Sequence, residues 1–96
     1  MFMEASLLQT FTVKCCLSDF LIRIRAKNEG MTQERVASEV GVTDRSIRRM
    51  ETDGLASVDL YLKTYTYYYD SGHITTSEER LFRYIFRKLI KLKIES

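Results

Sequence analysis

The sequence contains no proline, a single histidine and only two cysteines among 96 residues. The cysteines are adjacent, Cys15 and Cys16, so they cannot close the loops that stabilise small secreted domains, and no Cys/His cluster offers a metal site. We therefore expect a reducing, cytoplasmic compartment. The single histidine, His73, follows Gly72, and the sequence shows no residue that would pair with it in catalysis. We therefore assign His73 to the surface.

Long apolar runs are also missing. No segment approaches the roughly 18–20 apolar residues that cross a bilayer, and the N-terminus lacks the basic region and uninterrupted apolar core of a secretion signal. The sequence thus predicts no membrane span. Because a phosphate-binding loop and a histidine–nucleophile pair are absent as well, we expect no catalytic residues, no metal, no cofactor and no enzyme activity.

Charge is modest in total but uneven along the chain. The net charge is +2, and residues 18–54 hold seven basic and seven acidic residues, whereas residues 80–93 hold six basic residues and no acid. Net charge alone therefore does not argue for nucleic acid. A single domain of 96 residues buries only about 60–65% of its unfolded surface, so a dimer or another partner is a plausible source of extra stability.

Residues 1–17 fit two structures, and we treat them as an N-terminal extension. Leu8, Phe11 and Cys15 follow helical spacing, whereas Phe11, Val13 and Cys15 alternate with polar residues as in a strand. The β-branched run 10–13 slightly favours a strand, which would need a partner such as its own copy in a dimer.

A first helix is expected from Asp19 to Asn28. Ser18 suits its N-cap, Leu17 and Ile22 suit a hydrophobic staple, and Gly30 suits its C-terminal end.

Two short helices should follow, joined by a turn that contains glycine. Thr32 suits the N-cap of the second helix and Gly41 its left-handed end. Thr43 suits the N-cap of a third helix from Asp44 to about Thr52.

The fourth and fifth helices complete an all-α chain of five helices. Tyr61, Tyr65 and Tyr68 recur at helical spacing after Ser57, and we assign these three tyrosines to the core. Residues 70–76 form a turn, and a capping box of Thr76 and Glu79 opens a fifth, amphipathic helix that runs to about residue 93. We divide the chain into an extension (1–17), a central domain (18–70) and a C-terminal helix (71–96).

The third helix has a basic outer face. Steps of 100° per residue from an inward Ile47 place Met50 and Glu51 near it, and Arg45 and Arg49 almost opposite. Ser46, Arg48 and Asp44 lie on the flanks of that outer face, and Asp44 and Arg48 have the i,i+4 spacing of an ion pair. An α-helix fits the major groove of DNA, where arginine bonds guanine and aspartate accepts from cytosine.

The stretch 31–54 resembles the helix-turn-helix of the Cro/C1-type repressors, also called the Xre family, and the resemblance covers about residues 20–69. It is carried by Thr32-Gln33, Val36-Ala37, Val40-Gly41, Thr43, Ser46-Ile47, Met50-Glu51, Ser57-Val58 and Leu62-Lys63. The resemblance implies a lambda-repressor-like fold. It also implies that Gln33 and Thr43 contact phosphates, and that base edges are read by Asp44, Arg45, Ser46 and Arg49.

One departure from the family bears on packing. The family often has an arginine four residues before the glycine that ends helix 1, paired with the glutamate of helix 3. That position is Ala26 here, so either Arg25 reaches Glu51 or the buried pair is missing.

The fifth helix allows three interpretations. Its apolar stripe could seal the core, form a symmetric dimer or lie on an anionic membrane surface. We favour a dimer, whose interface would contain Leu81, Phe82, Ile85, Phe86, Leu89 and Ile90.

The sequence predicts a sequence-specific regulator that binds double-stranded DNA in the major groove, as a homodimer on a near-palindromic site, with repression as the default. The DNA-binding residues would be Gln33, Thr43, Asp44, Arg45, Ser46, Arg48 and Arg49. The alternative is a helix-turn-helix module that binds a protein partner, such as an antitoxin, with DNA binding secondary or lost.

Overall fold

The computed structural model describes residues 2–54 and 56–95, and within these residues the chain is all-α, as predicted, with five helices and no strand. None of the described helices is both long and apolar enough to span a bilayer. The helices are α1 (Phe2–Ala26), α2 (Gln33–Val40), α3 (Asp44–Asp53), α4 (Val58–Asp70) and α5 (Thr76–Glu95).

The expected N-terminal strand is wrong, because α1 runs without a break from Phe2 to Ala26. Val13 packs against the core beside Leu17, so the apolar stripe of the first helix simply continues towards the N-terminus. Thr12, a residue that favoured a strand, donates its hydroxyl hydrogen to the carbonyl oxygen of Leu8 at 2.9 Å, as threonines inside helices do. The helix anchored by Leu17 and the buried residues after it continues through this segment despite the weak β preference there.

Ser18 is not an N-cap but lies in the middle of α1, so no staple forms there. Its side chain is buried, and its hydroxyl donates to the carbonyl oxygen of Met50 at 2.5 Å. Since that hydroxyl has a single hydrogen, the contact of 2.9 Å with the Tyr61 hydroxyl has Tyr61 as the donor. The helix ends at Ala26, earlier than predicted, and Gly30 takes its left-handed φ of 82° in the turn that follows.

The predicted caps of α2 and α3 are confirmed. The Thr32 hydroxyl accepts from the Arg35 amide and the Thr43 hydroxyl accepts from the Ser46 amide, both at 3.1 Å. Gly41 has a φ of 84° and ends α2 in the left-handed conformation, which side chains rarely adopt. Three residues therefore suffice to join the two helices.

The expected start of the fourth helix at Ser57 is one residue early, because Ser57 is the N-cap and α4 begins at Val58. The capping box of α5 lies one residue earlier than expected. Thr75 and Glu78 form it: the Glu78 amide donates to the Thr75 hydroxyl at 3.2 Å, and the Thr75 amide donates to Glu78 Oε1 at 2.9 Å. Thr76 and Glu79 fit the same sequence pattern, and only the geometry distinguishes the two pairs.

Helix α5 lies antiparallel to α1 and closes one side of the core. Lys27 Nζ, just beyond the end of α1, contacts the Glu78 carboxylate at the start of α5 at 2.6 Å. Phe82 stacks on Tyr65 with ring centroids 3.5 Å apart, and Phe20 of α1 packs against both rings. The interpretation that α5 seals the core is therefore supported.

The three core tyrosines are buried as predicted, but their hydroxyl groups differ. The Tyr61 hydroxyl bonds Ser18, whereas that of Tyr68 has no hydrogen-bond partner in the described part of the chain. A buried hydroxyl without a partner destabilises the fold, because it loses its bonds to water.

We expect Tyr68→Phe to raise the free energy of unfolding by about 1 kcal/mol, because it removes an unpaired buried hydroxyl. Tyr61→Phe, the matched change seven residues earlier in α4, should lower it by about 1 kcal/mol, because it removes a hydrogen bond to Ser18. Urea unfolding of both variants measures the difference. Equal effects of the two changes would contradict this account.

Stability should also fall at high pH. Burial raises the pKa values of Tyr61, Tyr65 and Tyr68 above the ordinary value of 10.0. Below pH 10 the tyrosine hydroxyls stay protonated in both the folded and the unfolded chain. As the pH rises from 10 towards the higher pKa values of the folded state, the unfolded chain releases protons that the folded chain retains. Unfolding is therefore favoured. Urea midpoints measured from pH 8 to 11 test this, and Tyr68→Phe should weaken the loss.

Candidate nucleic-acid interface

Helix α3 separates an apolar side from a basic side as the periodicity predicts. Ile47 and Met50 are fully buried, and Glu51 is buried beside them. Arg45 and Arg49 are exposed on the other side. The inner side packs against α1 and α2, so the outer side is open to a ligand.

The arginines of the outer face differ in their partners. Arg48 lies 3.6 Å from the Asp44 carboxylate, which confirms the predicted i,i+4 ion pair, and both side chains are about half exposed. No acidic side chain of the described residues lies within 4 Å of Arg45 or Arg49. Their ten N–H donors in total are consequently available to an anionic or carbonyl-rich surface.

Two hydroxyl groups lie at the N-terminus of α3. Thr43 Oγ1 and Ser46 Oγ are 2.9 Å apart, and Thr43 Oγ1 also accepts the Ser46 amide. Two hydroxyls carry two hydrogens, and their mutual bond uses one of them. The pair can therefore donate one hydrogen bond outwards at the positive end of the helix, where phosphate oxygens bind well.

Gln33, the other residue expected to contact phosphate, is half-buried at the start of α2. Its amide nitrogen donates to Glu51 Oε1 at 3.0 Å, which uses one of its two hydrogens. The residue therefore links α2 to α3 and keeps one donor for a ligand, a double role that the sequence pattern did not reveal.

The buried pair between helix 1 and helix 3 is present, because Arg25 reaches Glu51. Arg25 Nε donates to Oε2 at 2.8 Å and Nη2 donates to Oε1 at 2.9 Å, a bidentate contact. The hydrogen bond to Glu51 raises the pKa of Arg25, outweighing the effect of burial. Together with Gln33, these residues form a Glu51 network that joins α1, α2 and α3.

The residues predicted for a dimer interface have different environments. Phe82 and Leu89 are buried within the single chain, and Ile85 and Phe86 pack against the same core. Leu81 and Ile90 remain 47% and 36% exposed. A dimer through α5 stays a prediction, and Leu81 and Ile90 would supply its exposed apolar contacts.

Other candidate chemistry is sparse. His73 is half-buried in the turn after α4, where its amide donates to the Tyr68 carbonyl oxygen at 2.9 Å. Across residues 2–54 and 56–95, no group of three or more His, Cys, Asp or Glu side chains could hold a metal ion.

Comparison with protein-family models, with curated proteins and with solved structures finds no match for the chain. The functional argument therefore rests on residue chemistry and geometry.

We expect Glu51→Leu to lower the free energy of unfolding by about 2 kcal/mol, because it leaves the Arg25 guanidinium without its partner. This is less than the roughly 3–5 kcal/mol typical of buried pairs, since the Arg25 side chain is 23% exposed. The double variant Arg25→Met/Glu51→Leu should recover most of the loss. Lys63→Met, which breaks an exposed pair with Asp59, serves as a control with an effect below about 0.5 kcal/mol. Additive losses in the double variant would refute the coupling.

Proposed function

We propose that the chain is a cytoplasmic, sequence-specific DNA-binding regulator of the Cro/C1 (Xre) type that acts as a homodimer on a near-palindromic site, by default as a repressor. The observation that carries the proposal is the outer face of α3, where Arg45 and Arg49 are exposed and lack acidic partners among the described residues. Exposed arginines on a helix of this size suit guanine edges in the major groove.

The surroundings of α3 support the same proposal. The Thr43–Ser46 hydroxyl pair at its N-terminus offers one donor, and Gln33 at the start of α2 offers another, both suited to backbone phosphates. In a twofold dimer, two such helices would enter successive major grooves about 34 Å apart. Asp44 and Arg48 would exchange their ion pair for base contacts, or keep it and exclude other sequences.

A protein-interaction module such as an antitoxin is the second candidate. It is favoured by the large apolar side chains that stay exposed away from α3, including Tyr69 at 49% and Leu81 at 47%. Selection from a random duplex library at two salt concentrations distinguishes the candidates. An enriched palindrome that binds less tightly at higher salt supports the regulator, and no enrichment supports the module.

We expect Arg49→Ala to weaken binding to the selected duplex by about 1–3 kcal/mol and to relax its specificity, because a bidentate base contact is lost. Arg83→Ala is the control, since Arg83 lies on α5 and pairs with Glu79 at 2.9 Å. Titration against the selected and a scrambled duplex measures both variants. An equal loss on the two duplexes would make Arg49 a phosphate contact instead.

A further inference from the structure

The N-terminal half of α1 and the C-terminal half of α5 form a groove that the proposed DNA-binding function does not use. Its volume is about 520 Å³, and it lies away from α3. The groove is lined mainly by Leu8, Thr12, Val13, Lys88, Lys91 and Leu92. None of these residues belongs to the predicted dimer set.

The α1 side of the groove is a helix with few packing partners. From Leu8 to Cys16 no residue is buried, and Leu8 and Phe11 are 67% and 45% exposed. Among residues 8–26 of α1, the first buried side chain is Leu17. Because helices gain most of their stability in proteins from packing, this half of α1 would gain from a further apolar surface.

The charge of the groove is of one sign. Lys88 and Lys91 are the charged residues that line it, both are exposed, and Lys88 lies over the Tyr84 ring at 4.6 Å. The surrounding stretch 80–93 has no acidic residue. A second copy seated here would bring the same two lysines towards each other, which electrostatic repulsion disfavours.

We propose that this groove binds an acidic amphipathic helix of a partner protein. Leucine-like residues of that helix would pack on Leu8, Val13 and Leu92, while its carboxylates would pair with Lys88 and Lys91. A helix fits because two helices side by side offer a cleft for a third but no unpaired backbone for a strand. Phosphate groups of DNA would pair with the two lysines but would leave the apolar side chains of Leu8, Val13 and Leu92 uncovered.

The test measures fluorescence anisotropy of the full chain with a labelled helical peptide of about 18 residues, long enough to form a helix in water. The peptide has leucines at i, i+3, i+4 and i+7 and glutamates beside them; a second peptide has lysines in place of the glutamates. We expect the full chain to bind the acidic peptide and not the basic one, without DNA present.

Lys88→Glu/Lys91→Glu should weaken binding of the acidic peptide by about tenfold or more and allow the basic peptide to bind. Arg80→Glu makes the same kind of charge change at the other end of α5, outside the groove lining, and should change binding little. Circular dichroism checks that both variants remain helical.

Three results would overturn the proposal. The first is equal binding of both peptides, or binding that the Lys88 and Lys91 changes leave unaltered. The second is binding of phosphatidylglycerol vesicles or duplex DNA at the groove without binding of the acidic peptide. The third is a chain dimer that Leu8→Glu dissociates, with no peptide binding, which would assign the groove to a second copy.

Discussion

The buried carboxylate of Glu51 is the constraint on which the arrangement of the first three helices depends. A carboxylate taken out of water needs a charge partner and several hydrogen bonds. Glu51 obtains them from Arg25 near the C-terminal end of α1 and from Gln33 at the start of α2. Because the donors belong to two other helices, all the bonds form together only at one relative orientation of α1, α2 and α3. The outer face of α3 takes its direction from that orientation.

A second polar contact holds α3 from the same side. Ser18, in the middle of α1, bonds the carbonyl oxygen of Met50 and the hydroxyl of Tyr61 in α4. Met50 and Glu51 are adjacent, so the inner side of α3 is attached through neighbouring residues to α1, α2 and α4. Side chains on a helix fixed in this way keep their positions well, which suits an interface that has to match the spacing of another surface.

The parts of this fold that depend on neighbouring residues could be predicted from the sequence. The caps at Thr32 and Thr43 involve amides three residues away, and the two sides of α3 follow from helical periodicity. Ser18 shows where local patterns fail, because its hydrogen-bond partners, Met50 and Tyr61, are 32 and 43 positions further along the chain. The double role of Gln33 was missed for the same reason: the contact with Glu51 exists only after α2 and α3 pack.

The basic character of α3 results from pairing rather than from composition. Residues 18–54 have equal numbers of acids and bases, yet two of the three acids of α3 have basic partners: Asp44 pairs with Arg48, and Glu51 with Arg25. No acidic side chain of the described residues forms an ion pair with Arg45 or Arg49 on the exposed side. Two such residues neutralise few phosphates, and each phosphate contact contributes only about 0.9 to the salt slope of binding. Under the proposed function α3 therefore supplies specificity, and much of the affinity has to come from a second copy of the chain.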